Sequence, residues 1–209
     1  MRILNLYSGI GGNRKLWGDD HEITAVEYDP KIAEIYQEFF PKDKVIVADA
    51  HQYLLDHFSE FDFIWSSPPC PTHSNWRKAA SKEELKHDLQ HYRKPVFPSM
   101  ILYEEILFLQ GYFKGKYCVE NVIAWYKPLI PPFEIAKHYF WTNFYIHPIE
   151  SKGRGMGKDE SLENLYQLKG FDLTKFGGID KMKTIRNCVE PETGLHIFEE
   201  SMRQPNQMF

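Results

Sequence analysis

The chain has few cysteines and no long apolar run, and both absences limit what it can be. Its 209 residues include three cysteines, an odd and sparse set that argues against a disulfide framework. They lack the spacing of a zinc site, so we expect no metal. No stretch approaches the roughly 20 apolar residues that span a bilayer, and no signal-peptide pattern is present. We therefore expect a cytoplasmic protein without a membrane partner.

The chain also lacks an excess of basic residues. Its net charge is −4, which counts mildly against a nucleic-acid partner, although the distribution of charge matters more than the sum. One segment, residues 72–94, is locally basic. Hydrophobic residues make up 43% of the chain and aromatic residues 15%, which is typical of a globular domain with a sizeable core.

Short apolar runs alternate with helical patterns over the first 120 residues. The runs that predict strands are residues 3–6, 23–27, 45–47, 61–65 and 117–120. Helices are predicted over 30–39, with Asp29 as its N-cap, and over 96–109. This alternation predicts an α/β fold with a doubly wound, mostly parallel sheet. In such sheets ligands bind at the carboxyl ends of the strands.

A glycine-rich turn follows the first predicted strand, and acids end the next two. The turn is residues 6–12, LYSGIGG, and glycines let the backbone approach a ligand closely. Glu27 is placed to accept hydrogen bonds from ribose hydroxyls, and Asp49 from an adenine amine. Because Arg14 stands where a dinucleotide fingerprint has glycine, a nicotinamide-dependent oxidoreductase is disfavoured. The set predicts an adenosine-containing ligand without pyrophosphate.

Each of these features has a plainer alternative. The glycine-rich turn could simply connect two elements, and Glu27 could be an ordinary surface glutamate. Asp49 could be the N-cap of the helical segment that follows it. The order of the three along the chain is more specific than any one of them.

Cys70 stands in a proline-rich turn after the fourth predicted strand, within residues 66–71, SSPPCP. Prolines remove backbone donors and fix φ, which holds the thiol rigidly. Most cysteines of this kind are buried and structural, but a proline clamp at a strand end favours a nucleophile. Glu120 ends the neighbouring strand, where an acid can hold a ring nitrogen during thiolate attack on a pyrimidine. Cys70 and Glu120 are the candidate catalytic pair.

Several short motifs, taken in order, resemble those of the DNA (cytosine-5) methyltransferases. They are residues 6–12 (LYSGIGG), 26–29 (VEYD), 48–50 (ADA), 67–70 (SPPC), 120–122 (ENV) and 187–189 (NCV). The resemblance covers about residues 1–147 and 183–200. It implies a class I, Rossmann-like, S-adenosylmethionine-dependent methyltransferase. Such an enzyme methylates carbon 5 of cytosine in DNA through a covalent cysteine adduct at carbon 6.

The resemblance also implies roles for individual residues. Cys70, beside Pro69, would attack carbon 6, Glu120 would contact N3 and the exocyclic amine, and Asn121 would brace the loop that carries Cys70. The residues implied to bind S-adenosylmethionine are Tyr7, Ser8, Gly9, Gly11, Gly12, Glu27, Tyr28, Asp49, Ala50 and Asn187. The residues expected to contact nucleic acid are Ser74, Arg77, Lys78, His138 and Arg154.

The chain departs from the family pattern in three places. Pro71 replaces the usual glutamine after the cysteine. The late Gln-x-Arg-x-Arg stretch is absent, and Lys137 and His138 are the two candidates to replace its second arginine. His138 is equally well a plain strand residue. Between the late strands and the final helix only about residues 150–183 remain for target recognition. Their basic residues, which can contact phosphates, are Lys152, Arg154, Lys158, Lys169, Lys175, Lys181 and Lys183.

These assignments divide the chain into three parts. Residues 1–147 are the catalytic domain, including a late strand over 138–146. Residues 148–183 are a reduced target-recognition or DNA-contact segment. Residues 184–209 complete the catalytic domain with a final helix over 184–198. So small a recognition segment predicts short or relaxed sequence specificity, or a partner that supplies recognition.

The expected partner is a DNA duplex with a flipped cytosine, gripped by the basic segment 72–94, although that segment is equally well a solvated helix face. We expect a monomer, with a separate recognition subunit as the alternative. An enzyme this small would suit a phage, a mobile element or a restriction–modification system. Two other functions stay open: an RNA (tRNA) cytosine-5 methyltransferase, and a non-catalytic nucleic-acid-binding module that retains the fold.

Overall fold

A computed structural model of the chain describes residues 1–74, 97–149 and 161–203. Within them, seven strands form one sheet in the order β3-β2-β1-β4-β5-β7-β6. The strands are β1 (Arg2–Leu6), β2 (Glu22–Glu27), β3 (Lys44–Val47), β4 (Phe63–Ser66), β5 (Lys116–Val122), β6 (Phe133–Ile135) and β7 (His138–Thr142). β1 to β5 pair in parallel, and β7 and β6 extend one edge antiparallel. The predicted α/β fold with a mostly parallel sheet is confirmed.

Four of the six helices in the described ranges begin at a residue whose side chain caps them. The helices are α1 (Pro30–Phe39), α2 (Ala50–His57), α3 (Ile101–Tyr112), α4 (Leu162–Lys169), α5 (Lys181–Arg186) and α6 (Pro191–Arg203), with a 3-10 turn at Phe58–Glu60. Asp29 caps α1 and Asp49 caps α2 by accepting backbone N–H bonds. α3 begins later than the predicted residue 96, since Pro98 disfavours helix in the residue before it; the N–H of Ser99 donates to Thr72 Oγ1 at 2.9 Å. In the described ranges, no helix has the length and apolar character needed to cross a membrane.

Alternate residues of the central strands face two separate layers of the core. Leu4 and Ile64 pack on one face against α2 and α3. Ile3 and Trp65 pack on the other face against Phe198 of α6. Because strand side chains alternate between faces and both faces are covered, these strands are apolar throughout.

The strand order reverses between β1 and β4. From β1 the chain continues to β2 on one side of the sheet, and from β4 it continues to β5 on the other. The loops that leave the carboxyl ends of β1 and β4 therefore diverge. The crevice between such loops is where open α/β sheets bind ligands. The glycine-rich turn and the Cys70 loop are these two loops.

The C-terminal region is not the single helix predicted over 184–198. α5 ends at Arg186 and α6 begins at Pro191, because proline lacks a backbone N–H and disfavours helix in the residue before it. The break between the two helices carries Cys188 against the glycine-rich turn. A Cβ on Gly12 would lie 2.3 Å from Cys188 Sγ, so this close packing requires glycine at position 12.

The described part of the predicted DNA-contact segment, residues 161–183, packs into the core of the domain. Leu165 and Phe171 share a cluster with Tyr36 of α1. Lys169, which was expected to be available to phosphates, is buried, and its ammonium donates to the carbonyl of Cys188. This part of the segment thus helps to hold the C-terminal region on the sheet.

A buried ion pair ties the turn after β1 to the loop before β3. Arg14 Nε donates to Asp43 Oδ2 at 2.8 Å and Arg14 Nη2 to Oδ1 at 3.0 Å, and the two side chains are 3% and 2% exposed. Tyr36 OH donates to the same carboxylate at 2.8 Å. The guanidinium also lies 4.8 Å from the centre of the Phe40 ring. Loss of either partner would leave a buried charge without its main counter-charge.

We predict that Asp43→Ala lowers the free energy of unfolding by about 3–5 kcal/mol, because it leaves a guanidinium buried without its carboxylate. Urea unfolding followed by tryptophan fluorescence measures the loss. Asp19→Ala is the matched control, since Asp19 contacts the same guanidinium at 3.2 Å but is exposed, and it should cost less than about 1 kcal/mol. Equal losses in the two variants would contradict this account.

Candidate active site

A cavity of about 410 Å³ lies in the crevice between the loops that follow β1 and β4. Its size falls within the range of small-molecule sites in proteins. Its walls come from the glycine-rich turn, the end of β2, the start of the Cys70 loop and the region around α5. The residues that line it are Tyr7, Ser8, Gly9, Ile10, Gly12, Asn13, Glu27, Asp29, Ile32, Ser67, Gly178, Ile179, Asp180, Lys183, Thr184, Asn187, Cys188 and Val189.

The structure brings part of the predicted cofactor set into this cavity. The predicted residues that line it are Tyr7, Ser8, Gly9, Gly12, Glu27 and Asn187. Gly11 instead packs against α1, where a Cβ would lie 2.3 Å from the Phe40 ring. The side chain of Tyr28 is exposed, Asp49 caps α2, and Ala50 is buried in the core. These four predicted residues therefore lie outside the cavity lining.

Residues just before α5 and at its start line another wall of the cavity. They are not among the residues predicted to bind the cofactor. Asp180 caps α5 by accepting the N–H of Lys183 at 2.9 Å. Ile179 and Thr184 line the same wall. The capping pattern marks a helix start in the sequence, but only the packing of residues 161–183 on α1 brings this helix back to the cavity.

The carboxylate of Glu27 is fixed by backbone groups at the end of β2. Its Oε2 accepts the N–H of Gly9 at 2.9 Å, and its Oε1 accepts the N–H groups of Tyr28 and Asp29 at 2.9 and 3.0 Å. An ionised carboxylate has about four acceptor positions, so capacity remains on Oε2. Glu27 is thus both a clamp on the glycine-rich turn and a fixed acceptor for a hydroxyl donor in the cavity.

The cavity residues fit an adenosyl cofactor with a charged tail. Ser8 Oγ is buried and finds no hydrogen-bond partner in the described part of the chain, and a buried hydroxyl of this kind calls for a ligand atom. Ile32 offers an apolar surface for a flat ring. Glu27 offers an acceptor for ribose, and Lys183 offers a cation for a carboxylate.

The loop that carries Cys70 is held from the neighbouring strand. Asn121 Nδ2 donates to the carbonyl of Pro68 at 2.9 Å, which is the bracing contact that the resemblance implies. The carbonyl of Cys70 accepts the N–H groups of His73 and Ser74 at 2.9 and 3.0 Å. These bonds close a tight turn directly after the cysteine, and Cys70 itself is half-buried.

Glu120 lies at the carboxyl end of β5, next to this loop, because β4 and β5 are parallel with Ser66 paired to Val119. Its side chain is buried, and Oε1 lies 3.7 Å from Nε2 of His138. Burial, followed by the negative charge of Glu120, raises the pKa of the Cys70 thiol. The thiol is therefore protonated at neutral pH, beside an acid that can share a proton with a ligand.

The residues predicted to contact nucleic acid are only partly described. Ser74 forms an isolated bridge with Ala124 next to the Cys70 turn. His138 lies on β7 beside Glu120. The remaining ones, Arg77, Lys78 and Arg154, lie outside the described residues. Over the described ranges, no group of three His, Cys, Asp or Glu side chains is arranged to hold a metal ion.

We predict that alkylation of Cys70 by iodoacetamide is slow at pH 7 and does not level off below pH 9, because the thiol pKa lies above its ordinary value of 9.0. Removing the nearby charge with Glu120→Gln should lower that pKa and speed alkylation at pH 8, on the order of three-fold. Peptide mass spectrometry follows the modification at Cys70, since Cys118 and Cys188 are buried.

Glu134→Gln is the control for this measurement, because Glu134 is an exposed acid on the neighbouring edge of the sheet. It should leave the alkylation rate unchanged. A Glu120→Gln variant that alkylates no faster than Glu134→Gln would show that the charge of Glu120 does not act on the thiol.

The chain resembles solved structures from several organisms. A DNMT2 mutant of Spodoptera frugiperda is 27% identical, with a TM-score of 0.36, over 58% of this chain and 35% of that one. TrmN of Thermus thermophilus is 19% identical, with a TM-score of 0.37, over 58% and 33%. A SAM-dependent methyltransferase of Agrobacterium tumefaciens is 14% identical, with a TM-score of 0.40, over 60% and 40%. The chain thus spans about a third of the length of the DNMT2 chain.

A comparison with curated proteins finds no match. A family model does match: that of the C-5 cytosine-specific DNA methylases, over residues 1–119. The matched region includes the glycine-rich turn, Glu27 and Cys70, and it ends directly before Glu120. Since it spans more than half of the 209 residues, the chain belongs to the C-5 cytosine-specific DNA methylase family.

Proposed function

We propose that the chain transfers a methyl group from S-adenosylmethionine to carbon 5 of cytosine in DNA, with Cys70 as a covalent nucleophile. The observation that carries the proposal is the pairing of a braced, half-buried thiol with a buried acid at the ends of β4 and β5. The cavity that fits the cofactor lies directly beside them, since Ser67 of the Cys70 loop is part of its wall. Membership of the family supports methyl transfer to cytosine.

In the proposed reaction the thiolate of Cys70 adds to carbon 6 of the cytosine, and a sulfur–carbon bond forms. Glu120 takes up the proton that the thiol loses and passes it to N3, which offsets the charge that builds on the ring. Carbon 5 becomes nucleophilic as a result. When bound, S-adenosylmethionine supplies the electrophilic methyl group. The carbon 5 proton then passes to water, and the electron pair of that C–H bond expels Cys70 as thiolate. The proton on N3 returns through Glu120 to Cys70.

The proposal requires the cytosine to leave the base stack, because carbon 6 is not accessible to a protein thiol within a duplex. The locally basic sequence after Cys70 supports contact with the phosphates that flank the flipped base. The depth at which Cys70 lies supports the same requirement, since a half-buried thiol meets a base only if the base enters the protein.

We predict transfer of labelled methyl from S-adenosylmethionine to unmodified duplex DNA and its loss, by at least about 10³-fold, in Cys70→Ala, because the covalent path has no substitute nucleophile. Scintillation counting of purified DNA measures the transfer. DNA that contains 5-fluorocytosine should form an adduct with the wild-type chain that survives denaturation, since fluorine cannot leave carbon 5 as a proton does.

Cys118→Ala is the control for the loss of a thiol, because Cys118 lies in the core away from the cavity; it should retain transfer at a temperature where it is folded. Structured RNA is tested in parallel. Label in RNA instead of DNA would replace the proposed substrate with RNA and keep the mechanism. Label in DNA that is undiminished in Cys70→Ala would refute the covalent mechanism.

A further inference from the structure

One buried acid lies between the two loops that form the site and is not used by the proposed reaction. Glu105 is on α3, and its side chain is 0% exposed. Its Oε1 accepts a hydrogen bond from Tyr7 OH at 2.6 Å and lies 3.1 Å from His51 Nδ1. Its Oε2 accepts one from Ser66 Oγ at 2.5 Å. A single carboxylate thus joins the ends of β1 and β4 to α2.

The contact with Tyr7 acts on the glycine-rich turn. Tyr7 has φ of 53°, a left-handed conformation that is uncommon outside glycine and persists only where surrounding contacts enforce it. The bond to Glu105 anchors the far end of this side chain. The backbone that follows it carries Gly9, whose N–H meets Glu27 at 2.9 Å. The shape of the cavity wall that the glycine-rich turn forms therefore depends on the position of the Tyr7 side chain.

The contact with Ser66 fixes the start of the Cys70 loop. Ser66 is the last residue of β4 and is fully buried. The next residue, Ser67, lines the cavity, and the carbonyl of Pro68 is held by Asn121. The loop to Cys70 is thus fixed at its start by Glu105 and further along by β5.

α3 is a suitable reference point for both loops. Leu102, Ile106 and Leu109 bury one face of this helix in the core beneath the sheet. His51 is held by the same carboxylate, and the hydrogen bond to Glu105 raises the pKa of its imidazole. Glu105 therefore projects from a helix that is packed in the core, and its carboxylate makes three polar contacts, with Tyr7, His51 and Ser66.

We propose that Glu105 is a positioning residue: through Tyr7 it fixes the glycine-rich turn, and through Ser66 it fixes the Cys70 loop relative to that turn. This inference rests on the proposed function and adds to it. Glu105 touches neither cofactor nor base. It sets the distance between the wall that binds the methyl donor and the loop that presents Cys70.

The two contacts can be separated by single variants. Tyr7→Phe removes only the hydroxyl on the cofactor side, and it should raise the Kd for S-adenosylmethionine, measured by calorimetry, about ten-fold, as loss of a bond to a charged group does. Ser66→Ala should leave that Kd unchanged and slow adduct formation on 5-fluorocytosine DNA. Glu105→Gln should produce both effects. Glu104→Gln, an exposed acid on the same helix, should produce neither.

The double variant Tyr7→Phe with Glu105→Gln distinguishes positioning from general weakening of the fold. If Tyr7 acts through Glu105, the double variant binds S-adenosylmethionine about as weakly as Glu105→Gln alone, because the same bond is lost once. Multiplied losses would overturn the inference, as would a Kd for Glu105→Gln equal to that of Glu104→Gln. If Glu105→Gln does not fold, the two single variants test the inference: Tyr7→Phe should weaken binding of S-adenosylmethionine, and Ser66→Ala should slow only adduct formation. The same effect in both variants would overturn the inference.

The inference and the proposed function fail in different ways. A wild-type chain that binds no S-adenosylmethionine in calorimetry would overturn the proposed function and the inference together. A wild-type chain that binds it, with every variant binding equally well, would overturn the inference alone.

Discussion

The parallel pairing of β1 with β4 is the constraint on which the rest of the site depends. These two strands meet at the point where the strand order reverses, so their loops leave in opposite directions and a crevice opens between them. Both loops are then made to approach that crevice closely: one by glycines and by Glu27, the other by prolines and by Asn121. A cofactor wall and a nucleophile therefore face the same space although 60 residues of chain separate Ile10 from Cys70.

Much of this arrangement could be predicted from the sequence because it is local. Asp29 and Pro30 mark the start of α1, and the apolar runs mark the strands to within about two residues. The order of glycine turn, acids and proline-clamped cysteine places Cys70 and Glu120 at neighbouring strand ends. The structure brings both of them, with Glu27, to one edge of the sheet.

The rest could not be predicted because it depends on contacts between distant segments. The late strand predicted over 138–146 is β7, which ends at Thr142. β6 was missed, since the turn that joins it to β7, Ala136 and Lys137, has left-handed φ angles in residues that do not signal such a turn. The sequence predicts a surface position for Lys169, but the C-terminal region packs over this side chain and buries it. The sequence does not distinguish Glu105 from the other acids of the predicted helices. Only the fold shows that Tyr7 and Ser66 both donate hydrogen bonds to it.

The charges around Cys70 are arranged so that the thiol and its substrate depend on each other. Burial and the charge of Glu120 both raise the thiol pKa, and Lys183 opposes them only weakly. An empty site therefore holds a protonated and poorly reactive thiol. Under the proposed mechanism, Glu120 takes up the thiol proton and shares it with N3 of the cytosine, so that this proton offsets the negative charge of Glu120 while the base is bound. The repulsion between Glu120 and the thiolate then falls when the base is in place. Entry of the base thus favours the nucleophile that attacks it, and the same acid that restrains Cys70 in the free protein activates the ring in the complex.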